Sequence, residues 1–413
     1  MRVENLRLQH RGDRARLAAT VHWEDCDRPT QDIYFETAAA FADALACTAH
    51  PFLVAATIPA FRHGERRIAV DGSICPELRM GLMTVMDWVR YWYKRDRPSL
   101  DIEAKVSAIS HPLAPSPRTG WFFSGGIDSL STLRANRLNY PNEHPGSIKD
   151  GLTIYGISSG GSEVETSEQY LDAFDRMVSR LSYISKDAGV NLIPVYTNVR
   201  QLDADSYFWG NEFQGAVLSS VAHAFARQLT VASISSGANM GNLHPHGSHP
   251  LIDPNYSCQQ LRIKHEGVNL SRLAKTKLIA DWDVALQNLK VCTKPDRNKS
   301  DTLNCGRCEK CIRTMMALLV LGKLDKTNIF PEVDLSETFL VNMVYPKSPY
   351  LLECYRELMP LLEAQGRPDL VRAIERITAR YHETDFAGSI KKAIRRYVRK
   401  DKTESEQLTG SYS

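Results

Sequence analysis

The chain has 413 residues, 43% of them hydrophobic and 24% charged, with a formal net charge of +3. That length suits two or three domains of ~150 residues each, the apolar content is that of an ordinary globular core, and so small a net charge gives no argument for a nucleic-acid partner. The first residues, Met1-Arg-Val-Glu-Asn-Leu-Arg7, lack the apolar segment of a secretory leader, and no apolar run approaches the ~18 residues of a membrane span. A cytoplasmic location and no membrane partner are expected.

Residues 1–113 read as an α+β N-terminal domain. Ile68-Ala-Val-Asp-Gly72 is a strand ending in a turn. Ser73 to Arg95 is a long helix, with Pro76 tolerated in its first turn and Leu78, Leu82, Val85, Val89 and Trp92 at helical spacing. Ile102 to Ile109 alternates as a strand. The segment His111-Pro-Leu-Ala-Pro-Ser-Pro-Arg-Thr-Gly120 holds three prolines and a closing glycine, which marks a domain boundary.

Residues 114–325 change to a strand–helix–strand pattern. Gly120-Trp-Phe-Phe-Ser-Gly-Gly-Ile-Asp-Ser129 is an apolar strand, a turn tight enough to need glycine, and a helix start. Leu152 to Ile157 is a second strand, followed by Ser158-Ser-Gly-Gly161. Ser162 with Glu165 makes a capping box, and Leu171, Phe174, Val178 and Leu181 share the helical face that follows, up to Gly189. Leu192 to Tyr196 is a third strand, where Pro194 points to a strand start or an edge. Phe213 to Leu229 is a helix, and Val231 to Gly237 a fourth strand. Apolar runs alternating with amphipathic helices imply βαβ units and a parallel sheet. Ligands of such sheets bind beyond the carboxyl ends of the strands, where Ser124–Gly126, Ser158–Gly161 and Ser235–Gly237 would converge. Residues 326–413 read as a helical C-terminal region, clearest at Leu351–Ala364 and Leu370–Tyr381.

Two constellations carry chemistry. In the first, Gly125 and Gly126 let backbone approach a polyphosphate, Ser124 and Ser129 offer hydroxyls, and the helix N-terminus favours an anion. Asp128 cannot face phosphate favourably alone, so it either holds Mg²⁺ or caps the helix. A Ser-Gly-Gly turn is also common connector chemistry, and no Gly-Lys-Ser/Thr follows, so this is not the P-loop signature. The second is Cys292, Cys305, Cys308 and Cys311, spaced C-x12-C-x2-C-x2-C among nine cysteines. Four thiolates suit a closed tetrahedral Zn²⁺ site, with an iron–sulfur cluster as the main rival and unligated thiols as the plain alternative.

Together these motifs resemble a family. Ser124-Gly-Gly-Ile-Asp-Ser129 is similar to the PP-loop of N-type ATP pyrophosphatases, and Cys292 with Cys305-Gly-Arg-Cys-Glu-Lys-Cys311 resembles the zinc motif of the 7-cyano-7-deazaguanine synthase family. Arg313 stands near that family's arginine after the last cysteine. Leu273-Ala-Lys-Thr-Lys-Leu-Ile-Ala280 resembles its Thr-Lys helix, placing Lys277 at its lysine, and Ser236-Gly-Ala-Asn239 resembles its third nucleotide segment. The resemblance covers about residues 118–322. It implies a Rossmann-like doubly wound parallel sheet of the PP-loop (HUP) type with a Cys₄ zinc site. It also implies ATP and Mg²⁺, cleavage of ATP between the α and β phosphates, an adenylated substrate oxygen, and displacement of AMP by ammonia or another nucleophile.

The implied nucleotide site is Ser124, Gly125, Gly126, Asp128, Ser129, Ser158 and Gly237, with Asp128, Lys277 and Ser124 as catalytic groups. The chain departs from the synthase at Trp209-Gly-Asn-Glu-Phe-Gln-Gly215 and in the long loop Asn239–Cys258, positions where that family recognises its deazapurine acid. The acceptor, a small-molecule or protein-linked carboxylate, stays open. Asn239, His244, His246 and Cys258 are the substrate candidates. His-x-His spacing can also grip an ion, although solvent-facing histidines in a Pro/Gly-rich loop are the plainer reading. A PP-loop sulfur-transfer enzyme, with Cys258 reactive, and an ATP-binding scaffold of a multiprotein defence or modification system are the alternatives. Lys391, Lys392, Arg395, Arg396, Arg399, Lys400 and Lys402 form a basic helical face, read first as solvated and second as a partner surface. Protein partners through either terminal region and a homodimer are compatible with the sequence.

Overall fold

Ten strands make one sheet: β1 (Arg2–Arg11), β2 (Arg14–His22), β3 (Gln31–Ala38), β4 (Arg67–Ile74), β5 (Asp101–Val106), β6 (Thr119–Phe122), β7 (Ile148–Tyr155), β8 (Asn191–Thr197), β9 (Val231–Ser235) and β10 (Arg262–Glu266). The computed structural model describes residues 1–107, 117–157, 168–292 and 304–383. The spatial order is β10-β9-β6-β7-β8-β3-β2-β1-β4-β5. From β10 to β8 all neighbours are parallel. The pairs β8–β3, β3–β2 and β2–β1 are antiparallel, and β1–β4 and β4–β5 are parallel again. The fold is therefore α/β on a mostly parallel sheet.

Numbered from β6, the parallel half has the order 3-2-1-4-5, reversing between β6 and β9. Such a reversal opens a crevice at the carboxyl ends of the two strands. The chain passes through α3 (Ile127–Asn139) after β6, α4 (Glu168–Ala188) before β8, and α5 (Ser206–Phe208), a π-helical turn Trp209–Phe213 and α6 (Gln214–Ala224) before β9. α7 (Arg272–Ile279) and α8 (Asp283–Asn288) follow β10, and α7 packs on α3.

The strands of residues 1–107 belong to the same sheet as those of the expected ATP domain. One apolar core runs from Val3, Leu17 and Phe35 through Leu152, Ile193 and Val217 to Ile263. α1 (His50–His63) and α2 (Pro76–Tyr93) belong to this half, and α1 packs on α6. One compact unit accordingly spans Met1–Asn304 with Lys326–Ile329. The proline-rich segment expected to divide the domains falls mainly at 108–116, outside the described residues.

Pro194 lies inside β8, between β7 and β3, rather than at a strand start. The β3 ladder reaches only Tyr196 and Thr197, so no pairing of β8 with β3 needs the N–H that Pro194 lacks.

The second unit comprises Cys305–Asp325 and the chain from Phe330. It is helical where described: α9 (Glu309–Val320), α10 (Glu337–Met343), α11 (Pro349–Arg356), α12 (Met359–Ala364) and a helix over 368–383. Ser336 and Ser348 cap α10 and α11 through their side chains. The single helix expected over 351–364 is two, because Pro360 takes the second position of a new one.

Candidate functional site

β6 is buried at all four residues. Gly151 of β7 leaves room for Trp121, since a Cβ there would lie 2.7 Å from the indole. Trp121 Nε1 donates to Ser129 O at 3.2 Å and fastens α3 to the strand it follows. The turn between them requires glycine: Gly125 has φ +73°, and a Cβ on it would come within 2.7 Å of Leu181 of α4. Its carbonyl accepts the Lys290 N–H at 2.9 Å.

Gly126 is the N-cap of α3 and brings no capping side chain, which leaves the first N–H groups of the helix facing its open end. Ser124 is exposed, with Oγ 3.3 Å from Ser129 Oγ and 3.4 Å from the Gly126 N–H that it accepts. A helix N-terminus without a side-chain cap, the helix dipole and two hydroxyls make this end of α3 receptive to an anion.

Asp128 neither caps the helix nor stands alone. Lys275 Nζ donates to its Oδ1 at 3.0 Å and Arg272 Nη2 to its Oδ2 at 3.1 Å. Lys275, 2% exposed, also donates to Ser236 O at 2.6 Å. One ammonium thus ties the loop after β6 to the turn after β9, across the crevice where the strand order reverses. Burial alone would raise the Asp128 pKa, but the charges of Arg272 and Lys275 outweigh it and hold the carboxyl below its ordinary value.

Lys277, expected here, is exposed on α7. Ser271 caps α7 by accepting the Ala274 N–H, and from that start Arg272 and Lys275 are three residues apart on one face. Two further residues turn the helix by about 200° and point Lys277 away. The Ser271 cap was the sequence signal that could have set this register.

The turn after β9 is fixed by Ser236 N donating to Glu266 O at 2.8 Å and Met240 N to Val268 O at 2.6 Å. Gly237 is exposed, and a Cβ there would meet nothing within 4 Å. Asn239 Oδ1 accepts from Asn242 Nδ2 at 2.6 Å. Ser158 and the capping box at Ser162 lie outside the described residues, as does the basic segment 390–402.

In the loop that follows, His244 is exposed and its Nδ1 lies 3.0 Å from Asn242 O, while His246 is half-buried. Among the described residues neither belongs to a group of three metal-ligating side chains. Cys258 is buried, and burial pushes its thiol up to about 11.

Cys258 does lie with His50 and His223, their ligand atoms within 4.8 Å of one another. The tautomers speak against a metal there. His50 Nε2 accepts the Cys75 N–H at 2.9 Å, so its neutral ring carries the proton on Nδ1. His223 Nε2 faces Tyr256 O at 2.7 Å and must donate to it. His50 therefore has no lone pair left for an ion.

Cys292, Cys305, Cys308 and Cys311 have their sulfurs within 4.8 Å of one another. Cys308 and Cys311 Sγ are 3.3 Å apart, Cys305 and Cys311 Sγ 3.8 Å. A tetrahedral ion with bonds of ~2.3 Å places sulfurs about 3.8 Å apart, so the group could hold one metal ion such as zinc. A four-iron cluster, with one cysteine on each iron, needs a wider set. Gly306, at φ +68°, makes the turn between the first two cysteines of the run, where a Cβ would meet Pro331 at 2.8 Å. The Cys308 N–H donates to Cys305 Sγ at 3.3 Å. Asn304 Oδ1 accepts the Val291 and Cys292 N–H groups at 2.8 and 3.0 Å, and its Nδ2 donates to Leu289 O at 2.9 Å. Arg313 is buried within the helical unit, 3.4 Å from Glu309 and 3.8 Å from Cys354 Sγ.

No described helix is long and apolar enough to cross a membrane. Comparison with protein-family models, curated proteins and solved structures gave no match.

Proposed function

We propose that this chain is an ATP-dependent ligase-type enzyme of the PP-loop ATP pyrophosphatase class, built on a Rossmann-like doubly wound half-sheet. It would adenylate a carboxylate or amide-like oxygen with release of pyrophosphate and then install nitrogen. The observation that carries this reading is Lys275, an ammonium buried between Asp128 of the Ser-Gly-Gly-Ile-Asp-Ser loop and the Ser236 carbonyl at the strand reversal.

In this reading ATP is a substrate whose phosphates lie at the N-terminus of α3. The N–H groups of the first turn and the Ser124 and Ser129 hydroxyls would donate to oxygens of the β and γ phosphates as pyrophosphate departs, and Lys275 and Arg272 would offset the charge that develops. Asp128 serves best as the anchor that aims both cations, since each of its oxygens already accepts from one of them. It therefore offers little to a resident Mg²⁺. Magnesium fits as a companion of the nucleotide phosphates, where it neutralises their charge. Zn²⁺ at the four cysteines would be structural, because a closed thiolate set leaves no open position for chemistry.

Nitrogen is favoured over sulfur as the transferred atom. Sulfur transfer needs a reactive thiol outside the metal set, and Cys258, the sequence candidate, is buried with its thiolate disfavoured and pairs with Leu261, before the amino end of β10. The test is to incubate the chain with ATP, Mg²⁺ and ammonia against a panel of carboxylates, with 7-deazapurine 7-carboxylates first, and to trap the acyl adenylate for mass spectrometry. An adenylate with any carboxylate supports the reading. Binding of ATP without adenylate or pyrophosphate would favour a scaffold instead.

A further inference from the structure

Ser248 and Asp253 of the loop 239–258 and His265 of β10 form a buried polar group that the reading above does not use. Asp253 is fully buried and the His265 side chain only 3% exposed. His265 Nδ1 lies 2.7 Å from Asp253 Oδ2, which also accepts from Ser248 Oγ at 2.7 Å, while Oδ1 takes the His249 N–H at 3.3 Å. A carboxylate there fixes the tautomer: Nδ1 donates, and Nε2 keeps its lone pair. His265 Nε2 is buried and has no hydrogen-bond partner among the described residues. Interior polar atoms are nearly always satisfied, so a nitrogen held open by a buried carboxylate calls for an explanation.

The surrounding backbone is committed to this arrangement. A Cβ on Gly215 would come within 2.3 Å of Asp253 Oδ1, and one on Gly247 within 2.7 Å of Phe213 N. The Gly215 N–H donates to Gly247 O at 2.6 Å, and the Gly247 N–H to Gly210 O at 2.9 Å. These bonds fasten the histidine-bearing loop to α6 and to the π-helical turn before it, a form frequent at functional positions.

His265 is the penultimate residue of β10, paired with Ile234 of β9. Ser235 turns to the opposite face and meets Thr132 of α3. The next residue, Glu266, holds Ser236 through its carbonyl, and Ser236 O holds Lys275. His265 thus lies one residue before the carboxyl end of β10, on the face opposite the one through which Ser235 meets α3.

We propose that His265, oriented by Asp253, takes the proton from the nitrogen nucleophile in the transfer step; this rests on the ligase reading above. The amine lone pair forms the C–N bond, the bond from the acyl carbon to the AMP oxygen breaks with its electron pair on the phosphate, and one N–H proton passes to His265 Nε2. Asp253 is the positioning residue: it holds the ring and stabilises the imidazolium that forms. Since the ring is buried, the acceptor must displace part of the loop 239–252 to reach it.

The experiment separates the two half-reactions in the full-length protein. ATP, Mg²⁺ and ammonium are supplied with a 7-deazapurine 7-carboxylate, or with the panel carboxylate that yields pyrophosphate with the unaltered chain. Pyrophosphate and AMP are followed separately in His265→Asn, which keeps an amide donor for Asp253, and in His265→Gln as a second variant. With the protein in excess over ATP, so that each site turns over once, pyrophosphate formation is expected to stay within about threefold, while AMP release slows at least ~100-fold, the scale of a lost general base. Hydroxylamine, a stronger nucleophile that is largely unprotonated at neutral pH, should restore most of it. Unchanged AMP release, or loss of both products in variants with the wild-type urea midpoint, overturns the role of His265. Absence of pyrophosphate from the unaltered chain with every carboxylate overturns the ligase reading and this inference with it.

Discussion

At Asp128 one carboxylate and two cations hold each other in a site of restricted solvent, and the effect of each substitution follows from the charge it strands. Asp128→Asn leaves Lys275 and Arg272 facing one another without a counter-charge. Removing one partner of a fully buried pair costs ~3–5 kcal/mol; with about a quarter of the Asp128 side chain open to solvent (27% exposed), a smaller loss of about 1–3 kcal/mol is expected. The lowered Asp128 pKa makes that contribution full above the ordinary carboxylate value of ~3.9. It is lost only as pH falls through the lower folded value, so it does not vary across neutral pH. Lys275→Met should weaken nucleotide binding at least tenfold, whereas Lys277→Met, on the far side of α7, should change it less than twofold. Calorimetric titration with a non-hydrolysable ATP analogue compares them; equal losses, or a larger loss at Lys277, would contradict the assignment of Lys275.

Among the elements, the glycine turn after β6 has the narrowest tolerance. Gly125→Ala meets both a positive φ and Leu181, and should cost ~1–3 kcal/mol, read as a fall in the urea midpoint; an unchanged midpoint would contradict the turn described. The loop from Asn239 to Cys258 responds to pH instead. Burial first, and then neighbouring histidine charge, hold His249 below the ordinary imidazole value, and burial does the same at His246. Above ~6.5 both are neutral folded or unfolded. As pH drops below that value the unfolded loop takes up protons that the folded loop resists, so the loop loses stability toward its lower folded values. Hydrogen exchange of residues 239–258, corrected for intrinsic rates, should show less protection at pH 5.5 than at pH 7.5; equal protection would contradict this.

The same elements explain what the chain disclosed on reading. The loop at 124–129 and the cysteines were legible because strand–glycine–helix and C-x2-C spacings are local. α1 was not, because Pro51 to Phe61 are buried on all sides and a helix without a polar face has no 3.6-residue period. Nor was the pairing of Asp253 with His265, which depends on how the 3₁₀ turn Asp253–Tyr256 and β10 meet in space.

At the scale of the whole molecule, α3 offers an anion-receptive end at a strand reversal, and four cysteines could hold one metal ion. Asn304→Ala removes the acceptor of the Val291 and Cys292 N–H groups and should lower bound metal at limiting zinc by more than half, measured by elemental analysis. Retention of full metal content would contradict a supporting role for Asn304. Purified chain with about one zinc and no iron is expected; with neither, the Cys₄ metal assignment fails. The measurement that bears most directly on the central claim is the identity of the phosphate product. With ATP, Mg²⁺, ammonia and an accepted carboxylate, the account predicts pyrophosphate and AMP in equal amounts. It also predicts that Asp128→Ala and Ser124→Ala each reduce this at least ~100-fold while metal content stays unchanged. Orthophosphate and ADP as products, or undiminished pyrophosphate from both variants, would contradict it.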